Sequence, residues 1–466
     1  MRLPFKKTIP LILLFLFFGN IYAEERSRLT KHHIAKPLSN GAKTLTWPRF
    51  NGPFDNARTQ ESPLSTSSGE LSIVKIWELA KGEGYASPAI SADKLILFHL
   101  DEGHEIIEAR NPETGSAIWS YKYPAEYRDR YGYSNGPRAS PLIWKGKVYA
   151  HGVTAWLTCL DLVSGKLIWK RDLKSEFRIP DYFFGKGSNP IITNESVIVN
   201  VGGENGECVV SFDLLTGKTN WVCKDEWGAS YSSPVMAKLH GKEVCLVFTG
   251  GESRPPKGGL LIIDPENGQT LTRFPWRSST YESANAVPAV PIGNNRIFLS
   301  ECYEKGGVLI RIDEDFDARI EWHKPELNIH WMTPIFKSDH LYGVSGRHQR
   351  GAEIFCINTE SGKVKWKNRL SWKYKYMNRD LNLEFFRGSL LDLGSNAIGL
   401  SELGSLILLE MNPNGIKILD TKQLFFAPGA WTLPALSNGL LYIMQNETDR
   451  SSGKGPRVLC FDLRGE

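Results

Sequence analysis

Few side chains in this 466-residue chain stand in an arrangement that performs chemistry. Asp313, Asp315 and Asp317 alternate like the opening ligands of a calcium loop. Ala318, however, stands where such a loop needs Gly, and Lys324 where it needs a bidentate Glu. The run therefore reads as a solvated turn, and no metal site is expected. Apart from the neighbours His32 and His33, the histidines are scattered singly and give no zinc spacing. Neither G-x-S-x-G nor H-E-x-x-H occurs, so hydrolase and zinc-protease readings have no support. The 7 cysteines include no adjacent pair and no C-x-x-C, which leaves zinc-ribbon and thioredoxin chemistry without a motif.

What remains is a set of aromatic and hydrogen-bonding side chains that recur in one phase of a repeat. They are Tyr85, Arg138, Lys186, Asn189, Tyr231, Glu282, Asn285, His330, Trp331, Arg387 and Trp431. Rings mixed with donors and acceptors suit a concave recognition site better than bond-breaking chemistry. No residue is expected to be catalytic.

The repeat that must position these residues has two markers. One is a turn followed by Trp: Asn111 to Gly115 with Trp119, Asp161 to Gly165 with Trp169, Asp213 to Gly217 with Trp221, and Asn358 to Gly362 with Trp366. Asp264 to Gly268 and Asn412 to Gly415 keep the turn without the Trp, and Asp313 to Asp317 is a degenerate copy ahead of Trp322. The Asp or Asn side chain can accept from turn amides, and Gly supplies the left-handed conformation that closes a β-hairpin. The second marker, upstream, is a small residue before Pro, as in Ser87-Pro88, Ser140-Pro141, Asn189-Pro190 and Ser233-Pro234. Each unit reads as four strands of about 49 residues in all, and such a unit buries both faces only by stacking. The expected fold is an all-β, eight-bladed propeller over residues 73–466. The strand around Trp77 completes the last blade and shuts the ring. Loops after each Trp strand then converge on one face, which is where the candidate residues fall.

Two groups of cysteines follow from this phase. Cys159, Cys356 and Cys460 lie two residues before the turn Asp or Asn, a small buried position. Counting back from the Asp213 turn puts Cys208 opposite Cys223, so a disulfide between them is the expectation.

The Ser-Pro marker with Asp/Asn-x-x-Thr/Ser-Gly-Lys-x-x-Trp resembles the PQQ-like propeller repeat. Trp47-Pro48-Arg49-Phe50-Asn51-Gly52-Pro53 resembles the entry segment of exported propellers of the planctomycete type. That family includes quinone dehydrogenases and assembly factors such as BamB. In the dehydrogenases the resemblance implies adjacent cysteines over pyrroloquinoline quinone (PQQ), a Trp beneath it, and a calcium ion held by Glu, Asn and Asp. This chain lacks the adjacent cysteines.

Residues 1–23 read as a leader, with Arg2, Lys6 and Lys7 before an apolar run and a cut near Ala23. No Cys follows the cut, so a lipoprotein is not expected. A polar linker over 24–46 and an entry segment over 47–72 are expected to precede the ring. Lysine and arginine exceed the acids by 5, and three of those cations lie in the first seven residues. So small a surplus gives no reason to expect nucleic acid. No transmembrane segment is expected after leader removal. The reading is a periplasmic or secreted scaffold that binds a protein, small molecule or carbohydrate, with no cofactor. The alternatives are a PQQ- and calcium-dependent alcohol or sugar dehydrogenase, and a carbohydrate-binding or lyase-type propeller.

Overall fold

A computed structural model describes residues 28–465 except 92, 194, 282, 349 and 350. The leader expected over residues 1–23, and Glu282, thus lie outside the described residues. Blade 1 consists of Ala89–Ile90, Leu95–Asp101, His104–Arg110 and Ala117–Pro124, antiparallel in that order. Six more four-stranded blades occupy residues 142–172, 191–224, 235–275, 290–324, 335–368 and 388–423. In blade 8, Ala435–Ser437, Leu440–Gln445 and Arg457–Asp462 are completed by Val74–Ala80, the N-terminal strand that closes the ring. Middle strands such as Leu95–Asp101 are apolar and buried almost throughout, because blades pack on both of their faces. Outer strands alternate, as in Ala117–Pro124. One two-stranded hairpin, Ser371–Tyr376 with Arg379–Glu384, is inserted between blades 6 and 7.

The turn markers form as their chemistry requires. Asp213 Oδ1 accepts from the amides of Leu215 (3.1 Å) and Thr216 (2.7 Å), and Gly217 has φ +68°. The Trp that follows each turn docks on the next blade. Trp77, Trp119, Trp169 and Trp221 donate from Nε1 to Pro112, Leu162, Leu214 and Pro265 at 3.0–3.1 Å. Trp322 and Trp366 do the same to Thr359 and Asn412. The ring lies so close to the next turn that a Cβ on Gly165, Gly217 or Gly268 would come within 2.5–2.7 Å of it. Glycine is needed there twice over, for its φ and for the space. Between blades 4 and 5 the Trp is replaced by Thr272, whose hydroxyl donates to Phe316 O.

The outer hairpins carry a one-residue bulge at this level, for instance between Leu167 and Trp169 and between Ser211 and Phe212. The bulge corrects the register expected for the cysteines. Counting without it put Cys208 opposite Cys223; with the extra residue, Cys223 pairs with Val209 and both thiols are free and buried.

The N-terminal segments do more than lead into the ring. Within the polar stretch, Leu29–Lys31 adds a fifth strand outside Val74–Ala80. Lys36 N donates to Asp462, and Lys43 pairs with Ser62. Buried Glu78 fastens the closing strand. Burial alone would raise its pKa, but hydrogen bonds from Lys75 and Lys454 and the charge of Arg457 bring it down to about 2. The entry segment then crosses the turn end of the channel. Trp47 exchanges backbone bonds with Ile90, Pro48 O accepts from Ile143, Asn51 reaches Thr333 (3.1 Å), and Arg58 pairs with Asp392 (2.7 Å). Blades 1, 2, 6 and 7 are tied across the axis, and the channel is closed from that side.

Replacing Gly217 with Ala forces a methyl group against the Trp169 ring and strains a left-handed residue. The expected loss is about 2–4 kcal/mol, read as a lower unfolding midpoint. An unchanged midpoint would refute the docking argument.

Candidate functional site

The small residues before Pro line the channel and bond the blades to one another. Ser140 Oγ accepts from Ser87 N, Ser87 Oγ donates to Leu433 O, and Ser233 Oγ accepts from Asn189 N. The loops above them bring Tyr85, Arg138, Asn189, Tyr231, His330, Trp331, Arg387 and Trp431 around one axial cavity of about 240 Å³, as expected from the repeat phase. Its wall also includes Tyr133, Phe184 and Ser233. Phe50 of the entry segment joins the lining from the plugged side. Sequence reasoning missed Phe50, because only the long-range bonds of its neighbours carry it to the axis.

Two expected residues do not reach this cavity. Lys186 is buried in a neighbouring cavity of about 340 Å³, where Nζ donates to Val201 O (2.8 Å) and lies 4.2 Å from the Tyr182 ring centre. Burial pushes its pKa down to about 7. Asn285 donates to Thr249 O (2.9 Å) and accepts from Arg277 (2.6 Å), so both ends of its amide are engaged. Glu282 is not among the described residues, so its place at this face stays an expectation.

Rings dominate the cavity. Trp431 lies 5.3 Å from Tyr85, 5.6 Å from Tyr133 and 5.3 Å from Trp331, while Phe184 lies 5.4 Å from Tyr231. The Arg387 guanidinium sits 5.1 Å from the Trp331 ring centre and 5.2 Å from that of Trp431. Its partner is Glu402, which also accepts from Trp431 Nε1 at 3.1 Å. On the other side Arg138 pairs with buried Asp129 (2.7 Å) and donates to Gly136 O and Ser134 O. The same Asp129 accepts from the amides of Tyr131 and Tyr133, which turns Tyr133 towards Trp431. Tyr231 donates to Glu252 and accepts from Phe184 N. Asn189 accepts from Ser140 N and donates to Ser233 Oγ.

The polar groups in the wall are therefore held by partners of their own. Two exceptions are His330 Nδ1 and Trp331 Nε1, both buried without a hydrogen-bond partner. Burial, with the charges of Arg387 and Arg347 nearby, pushes the His330 pKa down to about 3, so the imidazole is neutral at ordinary pH. Among the described residues no three His, Cys, Asp or Glu side chains are grouped to hold a metal ion. The arrangement can stack on a ligand, exclude water and present fixed dipoles.

The His330 pKa makes a stability prediction. Unfolded, this imidazole binds its proton near 6.5; folded, only near 3. The unfolded chain therefore holds more protons between those values, and stability falls as pH drops from 6.5 to 3. Denaturant unfolding of His330→Gln across that range is expected to show a shallower decline, by at most about 1.4 kcal/mol per pH unit. Identical slopes for both proteins would exclude a neutral buried His330.

Comparison with known proteins agrees with this geometry. A family model described as outer membrane protein assembly factor BamB matches residues 103–368. Quinohemoprotein alcohol dehydrogenase of Comamonas testosteroni is 23% identical over 39% of this chain and 26% of its own length. BamB of Moranella endobia is 23% identical over 35% of this chain and 50% of its own length. The matches thus span a quarter to a half of those relatives. The solved C. testosteroni structure superposes with a TM-score of 0.61 at 14% identity, covering 92% of this chain and 82% of that one. BamB of Moraxella catarrhalis gives 0.52 at 14% identity, covering 84% and 98%. With the eight-bladed ring, the docked tryptophans and a family match over more than half its length, this chain belongs to the BamB-like family of PQQ-like β-propellers.

Proposed function

We propose that the chain is an exported, non-catalytic binding or assembly scaffold that recognises a protein partner on the loop face of its ring. The observation that carries this reading is the state of the cavity's polar groups. Arg138 is held by Asp129, Arg387 by Glu402, Tyr231 by Glu252, and Asn189 by two serines. A wall whose charges are neutralised internally and whose surface is aromatic is suited to recognition. The BamB description of the family supports a protein partner at the cell envelope. The leader read in residues 1–23 supports export to the periplasm or beyond. No helix among the described residues is long and apolar enough to cross a membrane.

The second reading is a PQQ- and calcium-dependent alcohol dehydrogenase, favoured by the names of the quinohemoprotein relatives. The described residues do not fit that pair of ligands well. Glu402 and Asp129 are turned onto arginines, the side-chain oxygens of Asn189 and Asn285 accept internal donors, and no two cysteines are adjacent. Stacked rings beside arginine also suit a carbohydrate, but no observation favours a sugar over a side chain.

The test is a titration of the purified, leader-free protein with PQQ and calcium, followed by tryptophan fluorescence. Trp331 and Trp431 make the cavity self-reporting. No saturable quenching is expected at high micromolar quinone. Saturable, calcium-dependent quenching would overturn the scaffold reading in favour of the dehydrogenase.

A further inference from the structure

Six arginines of the loop face fall into two kinds. Arg138, Arg277 and Arg387 are partly or fully buried, and each is paired with a buried carboxylate: Asp129, Glu301 and Glu402. Arg130, Arg254 and Arg347 are exposed and have no ion-pair partner among the described residues. Each of them instead lies on an aromatic ring: Arg130 at 5.1 Å from the centre of Phe183, Arg254 at 3.8 Å from that of Tyr281, and Arg347 at 4.4 Å from that of Tyr303. A guanidinium stacked on a ring keeps its planar fork of N–H donors open at the edge, which is the geometry that takes a carboxylate through two hydrogen bonds.

These three rings are continuous with the axial cavity. Phe183 contacts Phe184 (6.4 Å) and Tyr281 (5.8 Å), and Tyr303 contacts His330 (6.0 Å). The open arginines therefore stand at the rim of an aromatic well, on loops of blades 1, 4 and 6. At about 240 Å³ the well is small beside the about 300–1,000 Å³ of typical small-molecule pockets, a size that suits one inserted side chain. Within the wall the charged groups already have partners, and only His330 Nδ1 and Trp331 Nε1 stay open; at the rim, Arg130, Arg254 and Arg347 have no ion-pair partner among the described residues. That division matches a ligand with an apolar tip and negative flanks.

We propose that the loop face binds an acidic polypeptide segment, which inserts an aromatic side chain into the axial well and places carboxylates on Arg130, Arg254 and Arg347. This rests on the reading of the face as a protein-binding surface and adds the chemistry of the partner. A nucleic acid is the less favoured polyanion. Glu126 and Asp181 line the adjoining cavity, so the cations form separate points and no continuous basic stripe.

The test uses the leader-free chain and fluorescein-labelled Gly-Glu-Glu-Phe-Glu-Glu-Gly, followed by fluorescence polarisation. The peptide is expected to bind, with an affinity that falls several-fold between about 50 and about 200 mM salt. Replacing its Phe by Ala, or its Glu residues by Lys, is expected to weaken binding by about tenfold or more. A protein carrying Arg130→Gln, Arg254→Gln and Arg347→Gln is expected to lose about tenfold while keeping its unfolding midpoint. The peptide series and the salt titration on the unaltered chain carry the test even if that variant folds poorly. Equal binding of the Lys peptide would overturn the acidic partner while leaving a side-chain-binding face in place. Failure of all three peptides to bind would overturn the proposal, whereas saturable quinone binding is what overturns the scaffold reading itself. Tighter binding of a dT oligonucleotide of equal charge would overturn it in favour of a nucleic acid.

Discussion

Five of the eight blade junctions are held by a tryptophan from one blade lying on the turn glycine of the next. Each junction of this kind combines a large apolar contact with one directed hydrogen bond from Nε1 to a turn carbonyl. The bond fixes the angle at which blades meet, and that angle repeated around the axis sets how many blades close the circle. The bulge just before each Trp belongs to the same device. It inserts one residue into the outer strand at the level where the indole must leave its own sheet and reach its neighbour. The Trp is missing at two junctions, between blades 4 and 5 and between blades 7 and 8; at the first, the directed bond persists as a hydroxyl donating to a carbonyl while the ring contact is lost.

Much of this was legible in the sequence, because turn chemistry and indole spacing are local. Blade number, strand order, the strand that closes the ring and the face on which the loops converge all follow from phase. So do most of the cavity residues, including Tyr85, Trp331, Arg387 and Trp431. Three things were not legible. The pairing of Cys223 with Val209 depends on a bulge that a simple count across the hairpin passes over. Lys186 and Asn285 sit in the right loops, yet their side chains satisfy buried carbonyls, of Val201 and Thr249, that would otherwise lack donors. Phe50 depends on contacts with blades distant in sequence, and no local pattern announces these.

The electrostatics of the loop face follow one rule. Arginines that are withdrawn from water are paired with carboxylates that are also withdrawn, because an isolated buried charge costs too much to keep. Arg130, Arg254 and Arg347, left in water, have no ion-pair partner among the described residues and are oriented by aromatic faces, whereas exposed Arg273 has both Asp225 and the Trp227 ring. The consequence is a face whose interior is electrically quiet and whose rim is not. His330 fits the quiet interior: it stays neutral because burial and two nearby guanidinium groups disfavour a further positive charge.

The closing strand also has a consequence in time. Val74–Ala80 is synthesised long before its partner Arg457–Asp462, and the Glu78–Arg457 bond spans 379 residues. During synthesis the early blades can stack on one another, but the circle stays open until nearly the whole chain exists. Contacts of such separation form late and slowly. Until then the molecule is an arc with two raw ends, each a sheet edge able to pair with a stranger. A chain cut short within the eighth blade would keep those ends permanently, so loss of a few residues far from the recognition face would turn a closed disc into an adhesive one.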